Sequence, residues 1–291
     1  MKQKFLAISL MVVSMILGVS PAFAQGAAPK FHVFNFNDGS ILQNISDNGK
    51  WGVAFGSNQA NSLWNFYPKL IDFSNDKVIE LLTEEELDGA INCAAATDVT
   101  DDGQLVVGNY GNAPAIYHVD RAKWEKLPVP EAPSGFSWDD GYVNSVTPDG
   151  KWAVGTMSYN SYFGEIPVLW NLEGTPTIVE TLYPLEDMSG FSQDQTRFMS
   201  ITADGKKIAG CVSYSYPDDV MYFIYDIASE TWEPVGYKFD GTHFTSEVEG
   251  MHHIDGLVLS NDGKWATGSA YMVKSVDGSE YGNQNDAQRL C

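Results

Sequence analysis

The chain has 291 residues, with 17 Lys and Arg against 38 Asp and Glu and a formal net charge of −21. Hydrophobic residues make up 44% and aromatics 13%, enough to bury a sizeable core, and this excludes wholesale disorder. So acidic a surface repels phosphate backbones and anionic lipid, which argues against nucleic acid or a membrane surface as partner.

In chain order, the first feature is an export signal over residues 1–24. Lys2 and Lys4 supply the positive end, Phe5 to Val19 the apolar stretch, and Ala22-Phe23-Ala24 the small-x-small cleavage pattern. Cleavage is expected after Ala24, leaving Gln25 first and a chain that is secreted or periplasmic. The competing reading, a single membrane anchor, fits the length and flanks less well. No second apolar run approaches spanning length. Cys93, Cys211 and Cys291 are too few for a disulfide scaffold, and no C-x-x-C suggests zinc or redox chemistry. Cys93 and Cys211 lie in apolar strand-like surroundings and read as small buried hydrophobes.

Residues 25–291 are organised by a repeat. ISDNGKWGVA (45–54), VTDDGQLVVG (99–108), VTPDGKWAVG (146–155), ITADGKKIAG (201–210) and LSNDGKWATG (259–268) share one pattern. An aliphatic residue precedes Ser or Thr, then two residues ending in Asp or Asn, then Gly. The turn glycines Gly49, Gly103, Gly150, Gly205 and Gly263 are 54, 47, 55 and 58 residues apart. Asp-Gly or Asn-Gly joins strands because glycine accepts positive φ, and the hydroxyl and carboxylate close the turn onto nearby amides. Trp51, Trp152 and Trp265 share a slot after the turn, which predicts a repeated packing position between units. Gly108, Gly155, Gly210 and Gly268 also coincide, with Ala54 in the first copy, and predict close backbone approach or a bulge.

Each motif is followed by a second pair of strand-like runs, as in AIYHVDRAKWEKLPV (115–129), PVLWNLEGTPTIVETL (167–182) and YFIYDIASETWEPVG (222–236). Four strands per repeat predict an all-β chain, a β-propeller of four-stranded antiparallel blades. The one helical signal is the capping-box pattern Thr83-Glu84-Glu85-Glu86. A two-sheet sandwich is the competing all-β reading, but it has no reason to repeat one turn at this period. The strand, S/T-x-D-G-K turn and Val/Ala-Gly strand resemble the propeller repeats of TolB-type proteins. The spacing and the Leu-Trp strand in VLW (168–170) are still more similar to HAF-type extracellular repeats. This resemblance covers about residues 41–270; it implies a propeller and transfers no catalytic residue.

The length after cleavage, divided by the mean spacing, is close to five blades. The third strand of the last blade is expected at Ala287–Cys291, where the sequence stops in mid-strand. Either FHVFNFN (31–37) completes that blade and closes a five-bladed ring, or the chain is a piece of a larger ring. The second is favoured, because an open ring leaves unpaired strand edges.

The innermost strand should be the one that ends at the repeated turn, so the loops leading into it are where a site is sought. SGFSWDDGYVNS (134–145) and SGFSQDQTRFMS (189–200) are near-duplicates there, joined by Asn37-Asp38, INCAAATD (91–98) and MHHIDG (251–256). They pool Asp38, Trp138, Asp139, Asp140, Asp194, Gln195, Arg197, His252, His253 and Asp255, a set suited to a polar ligand such as a sugar, or to a cation. Ordinary solvated loop residues are the bland alternative. No nucleophile elbow, H-E-x-x-H or phosphate loop is present, so no catalytic residue and no cofactor is expected. His252 and His253 are adjacent and point to opposite faces of a strand, which argues against a metal site. The expected function is an exported, non-catalytic propeller that binds a glycan, peptide or protein partner. The alternative is a propeller glycoside hydrolase, with Asp38, Asp139 and Asp255 converging from different blades, or the propeller part of a longer extracellular hydrolase.

Overall fold

All five motif copies fold into the same bend. In the computed structural model the five turn glycines have φ between 64° and 71°, the left-handed region that favours glycine. Each glycine N–H donates to the carbonyl of the Ser or Thr three residues back, as in Gly103 N to Thr100 O at 2.9 Å. The hydroxyl and carboxylate then lock the bend. Thr147 Oγ1 donates to Asp149 Oδ1 at 2.8 Å and accepts from Trp152 N at 3.1 Å. The same bonds recur at Ser46, Thr100, Thr202 and Ser260.

The structure describes residues 34, 40–60, 63–83, 94–159, 164–181, 191–214, 220–235, 237–239, 244–246, 251–272 and 289–290. All but Phe34 belong to one unit, Phe36–Cys291. The signal segment, FHVFNFN apart from Phe34, Asp38, Cys93 and the run from Glu84 lie outside the described residues.

Blade 1 comprises β1 (Ile41–Ile45), β2 (Trp51–Phe55), β5 (Lys69–Asp72) and β6 (Lys77–Glu80), paired in that order, with a hairpin of β3 (Ser57–Ala60) and β4 (Leu63–Phe66) inserted. Blade 2 is β7 (Ala94–Val99), β8 (Leu105–Tyr110), β9 (Pro114–His118) and β10 (Lys123–Lys126). Blade 3 is β11 (Trp138–Val146), β12 (Trp152–Tyr159), β13 (Gly164–Asn171) and β14 (Thr177–Thr181). Blade 4 is β15 (Phe191–Ile201), β16 (Lys207–Tyr214), β17 (Val220–Asp226) and β18 (Thr231–Pro234), followed by a hairpin of β19 (Tyr237–Phe239) and β20 (Phe244–Ser246). Blade 5 shows β21 (Met251–Leu259), β22 (Ala266–Met272) and β23 (Arg289–Leu290), the last falling within the stretch expected for a third strand. Every pairing within a blade is antiparallel. No helix occurs among the described residues, and so none is long and apolar enough to cross a membrane. The two short hairpins were not anticipated. The all-β propeller of four-stranded antiparallel blades is the observed fold.

The first strand of each blade carries a bulge. In blades 1 to 4 it falls at Gln43, Thr97, Asn144 and Met199, two residues before the aliphatic residue of the motif; in β21 it is one residue earlier. The glycine on the second strand sits opposite. A methyl on Gly108 would overlap the Ala95 carbonyl oxygen, and one on Gly155 that of Tyr142, so the expected close backbone approach is present.

Successive blades bury four seams of apolar side chains. Val107 and Ile116 of blade 2 meet Val143 and Val146 of blade 3; Val154 and Leu169 of blade 3 meet Phe198 and Ile201 of blade 4. Each fully buried side chain of this kind contributes about 1.5–3 kcal/mol. In blades 1 to 4 the slot after the turn closes the seam by resting on the turn of the next blade. Trp51 covers Gly103 and Trp152 covers Gly205 so closely that a methyl on either glycine would meet the indole ring. A methyl on Gly150 would lie 3.0 Å from Leu105 Cδ1, and one on Gly263 3.4 Å from Lys207 Cδ, both slot residues. The turns are also bonded in sequence: Asp101 N donates to Pro148 O at 3.0 Å, and Ala203 N to Asn261 O at 3.2 Å. Pro148 has no N–H, which explains the missing link between the third and fourth turns.

One carboxylate ties three blades together. Asp98, buried on β7, accepts from Asn44 Nδ2 of β1 at 2.9 Å and from Ser145 Oγ and Val146 N of β11 at 3.0 and 2.9 Å. Its own neighbour Val99 N donates at 2.8 Å. Burial pushes its pKa from 3.8 to about 7, against the pull of these donors.

Gly103→Ala is expected to destabilise more than Gly49→Ala in urea unfolding. Both incur the left-handed backbone cost of about 1–2 kcal/mol, and only Gly103 adds a clash, with Trp51. Asp98 takes up its proton near pH 7 when folded and near 3.8 when unfolded, so the folded state binds the extra proton between those values. Its contribution is whole below about pH 4 and is lost as the pH rises to about 7. Urea midpoints should therefore show the wild type losing stability relative to Asp98→Asn between pH 5 and pH 8; a relative gain would contradict this.

Candidate functional site

The innermost strands are longer than expected, and they absorb residues that the sequence places in loops. Trp138, Asp139 and Asp140 open β11, Asp194, Gln195 and Arg197 lie on β15, and His252, His253 and Asp255 on β21. All nine stand before the bulge nearest the repeated turn, at the remote end of their strands, where each strand has a second register shift. Asp38 and the side chains of Asp194, Gln195, His252, His253 and Asp255 lie outside the described residues.

Trp138 is used by the fold. Its indole N–H donates to Pro130 O at 2.8 Å, and its ring meets Tyr159 edge-on at 5.9 Å. Asp139 is half-buried, and its carbonyl accepts from Asn112 Nδ2 at 3.5 Å. Asp140 accepts from Gly141 N at 2.8 Å; burial raises its pKa, against that bond and one from the Asn109 amide of blade 2. Asp140 thus faces the seam between blades 2 and 3.

Arg197 belongs to the next seam. Its guanidinium Nε donates to Glu165 Oε2 on β13, and the parallel pairing of Glu165 with Gln195 joins the sheets of blades 3 and 4. The Glu165 side chain is only 4% exposed, whereas that of Arg197 is 47% exposed, so the charge of the pair opens to solvent on the cationic side. Tyr142 of β11 stands near both. Burial and then the Glu165 charge push its pKa to about 12, so its hydroxyl keeps its proton as a hydrogen-bond donor. Ser158, opposite Glu165, and Thr156, opposite Tyr142, are fully buried, and among the described residues their hydroxyls have no hydrogen-bond partner. Thr196 on β15 has the same standing. Cys211, opposite Arg197, is buried and has no disulfide partner among the described residues, and burial pushes its pKa to about 12, so its thiol stays protonated at neutral pH.

The strands therefore place the candidate residues at one end but divide them between two seams. Asp140 and Tyr142 lie two residues apart on β11, and the Asp140 charge helps to raise the Tyr142 pKa. Sequence reasoning missed Glu165 and Tyr142. The available signal was a lone acid in the otherwise apolar run GEIPVLW (164–170). Among the described residues no group of three or more His, Cys, Asp or Glu side chains could hold a metal ion. The group can hold a hydroxylated or amide-bearing ligand through a guanidinium, a phenol and carboxylates.

No protein-family model and no curated protein matches the chain. Solved structures are similar to it. One is an oligogalacturonate lyase in complex with manganese, with a TM-score of 0.51 and 12% identity over 79% of this chain and 58% of that one. Another is TolB from Acinetobacter baumannii, at 0.48 and 16% over 84% and 52%. A third is Porphyromonas gingivalis dipeptidyl peptidase 4, at 0.42 and 11% over 79% and 42%. The chain spans about half the length of these structures. At such identities the likeness concerns the fold alone, which is a β-propeller.

Breaking the Glu165–Arg197 pair should be asymmetric. Arg197→Met strands a buried carboxylate and is expected to cost about 3–5 kcal/mol, whereas Glu165→Gln leaves a guanidinium that can turn to water and should cost less. Urea unfolding of both variants and of the double variant checks this; equal costs would contradict it.

Proposed function

We propose that the chain is an exported β-propeller that binds a polar ligand, a glycan, peptide or protein partner, without transforming it. Binding occurs at the end where the innermost strands begin, around Arg197, Tyr142 and Asp140. The half-exposed Arg197 carries this reading, because it is a cation held on a buried Glu165 in a chain of net charge −21. A guanidinium fixed in this way offers its remaining N–H groups in a set geometry. Export is supported by the basic, apolar and small-x-small pattern of residues 1–24. The absence of a nucleophile motif from the sequence, together with the inert buried thiol of Cys211, supports binding over catalysis.

The test is a screen of purified protein against glycan and peptide arrays and chromogenic glycosides. Tyr142→Phe and Asp140→Asn are expected to weaken any ligand found by tenfold or more while leaving the urea midpoint within reach of wild type. Glycoside turnover that Asp139→Asn abolishes would overturn the reading in favour of a hydrolase.

A further inference from the structure

One layer of the seam between blades 3 and 4 is polar where the layer beneath it is apolar. Residues two apart on a strand share a face, and β12 and β13 keep an unbroken register. Thr156 and Ser158 therefore stand on the same face of β12 as Val154, and Pro167 and Glu165 on the same face of β13 as Leu169. Thr196 lies two residues before Phe198 on β15, with the register unbroken between them. Val154, Leu169 and Phe198 pack together in the seam. Thr156, Ser158 and Thr196 thus face the same seam, nearer the end that carries Arg197. They are 0%, 0% and 1% exposed, and among the described residues none of the three hydroxyls has a hydrogen-bond partner.

A buried hydroxyl left without a partner destabilises a fold, so buried polar groups are satisfied by protein or by ordered water. The preceding seam satisfies the equivalent position directly. Asn109, which follows Gly108 as Thr156 follows Gly155, bonds through its amide to Asp140 of blade 3. Thr156 is a shorter side chain at the same place. The layer is also short of bulk: Leu169 and Phe198, both fully buried, hold the blades apart, and one step along the strands Pro167 and Thr196 fill less of the same gap. We infer that this layer is a built hydration site, in which ordered water molecules bond to Thr156, Ser158 and Thr196 beside Tyr142 and the Glu165–Arg197 pair. Thr156 stands opposite Tyr142 and Ser158 opposite Glu165, so the water has a phenol and a carboxylate as further neighbours. Water suits the set because it both donates and accepts, as the hydroxyls do, and can also donate to the carboxylate. The site belongs to the ligand-free chain and does not depend on what binds at Arg197.

A crystal structure of the purified chain without added ligand should show water within about 2.7–3.2 Å of at least two of the three hydroxyls. Thr156→Val and Thr196→Val keep the shape of the side chain and remove its hydroxyl. Each is expected to lower the midpoint of urea unfolding, because bound water loses a partner. A raised or unchanged midpoint in either variant would overturn the inference, since a methyl in place of a bare buried hydroxyl relieves the burden of burying it. Two or more hydroxyls without water in the wild-type structure would also overturn it. So would the side chain of Gln195, which precedes the turn threonine by seven residues as Asp140 does, bonded there in place of water. The wild-type structure decides the point even where a variant fails to fold.

Discussion

The structure depends on how closely one blade can approach the turn of the next. The Ser/Thr-x-Asp-Gly bend is usually regarded as a way of reversing a strand, and here it is also a floor. Glycine at positive φ satisfies both demands, because it permits the bend and leaves no side chain between the turn and the slot residue of the preceding blade. The hydroxyl and carboxylate of the motif hold the floor level by satisfying the amides of the bend. With the turns seated, the first strands lie side by side, and a buried carboxylate such as Asp98 can bond to three of them at once.

The polar site is a by-product of the same geometry. Bulges at a common position turn the first strands so that Arg197 and Tyr142, each four residues before the aliphatic residue of its motif, stand at the same level on neighbouring blades. Glu165 reaches them from the third strand of blade 3, where it is buried and its charge is answered by the Arg197 guanidinium. Burial keeps Tyr142 and Cys211 protonated at neutral pH.

The repeat was legible because each residue in it has a separate physical duty that few other residue types perform. Turn glycines took the role their positions implied, as did the strand glycines Gly108 and Gly155 and the slot residues Trp51 and Trp152, whereas Trp265 is exposed. The site was less legible. SGFSQDQTRFMS reads as a loop by composition, yet Thr196 to Ser200 within it pair with β16, and that pairing outweighs the polarity of the segment. Trp138 has the look of a binding platform, but Pro130 and Tyr159 occupy its N–H and its edge, and nothing in the local sequence announces them. Glu165 and Arg197 are 32 residues apart and meet only because two sheets touch, so no local pattern marks them as a pair.

The seating of one blade on the next is tested most directly by a double-mutant cycle between Trp51→Ala and Gly103→Ala, read by urea unfolding. If the indole rests on the glycine, removing it relieves the clash, and the two substitutions together cost less than their sum by about 1–3 kcal/mol. Costs that add to within about 0.5 kcal/mol would show that the two residues do not meet and would contradict the account.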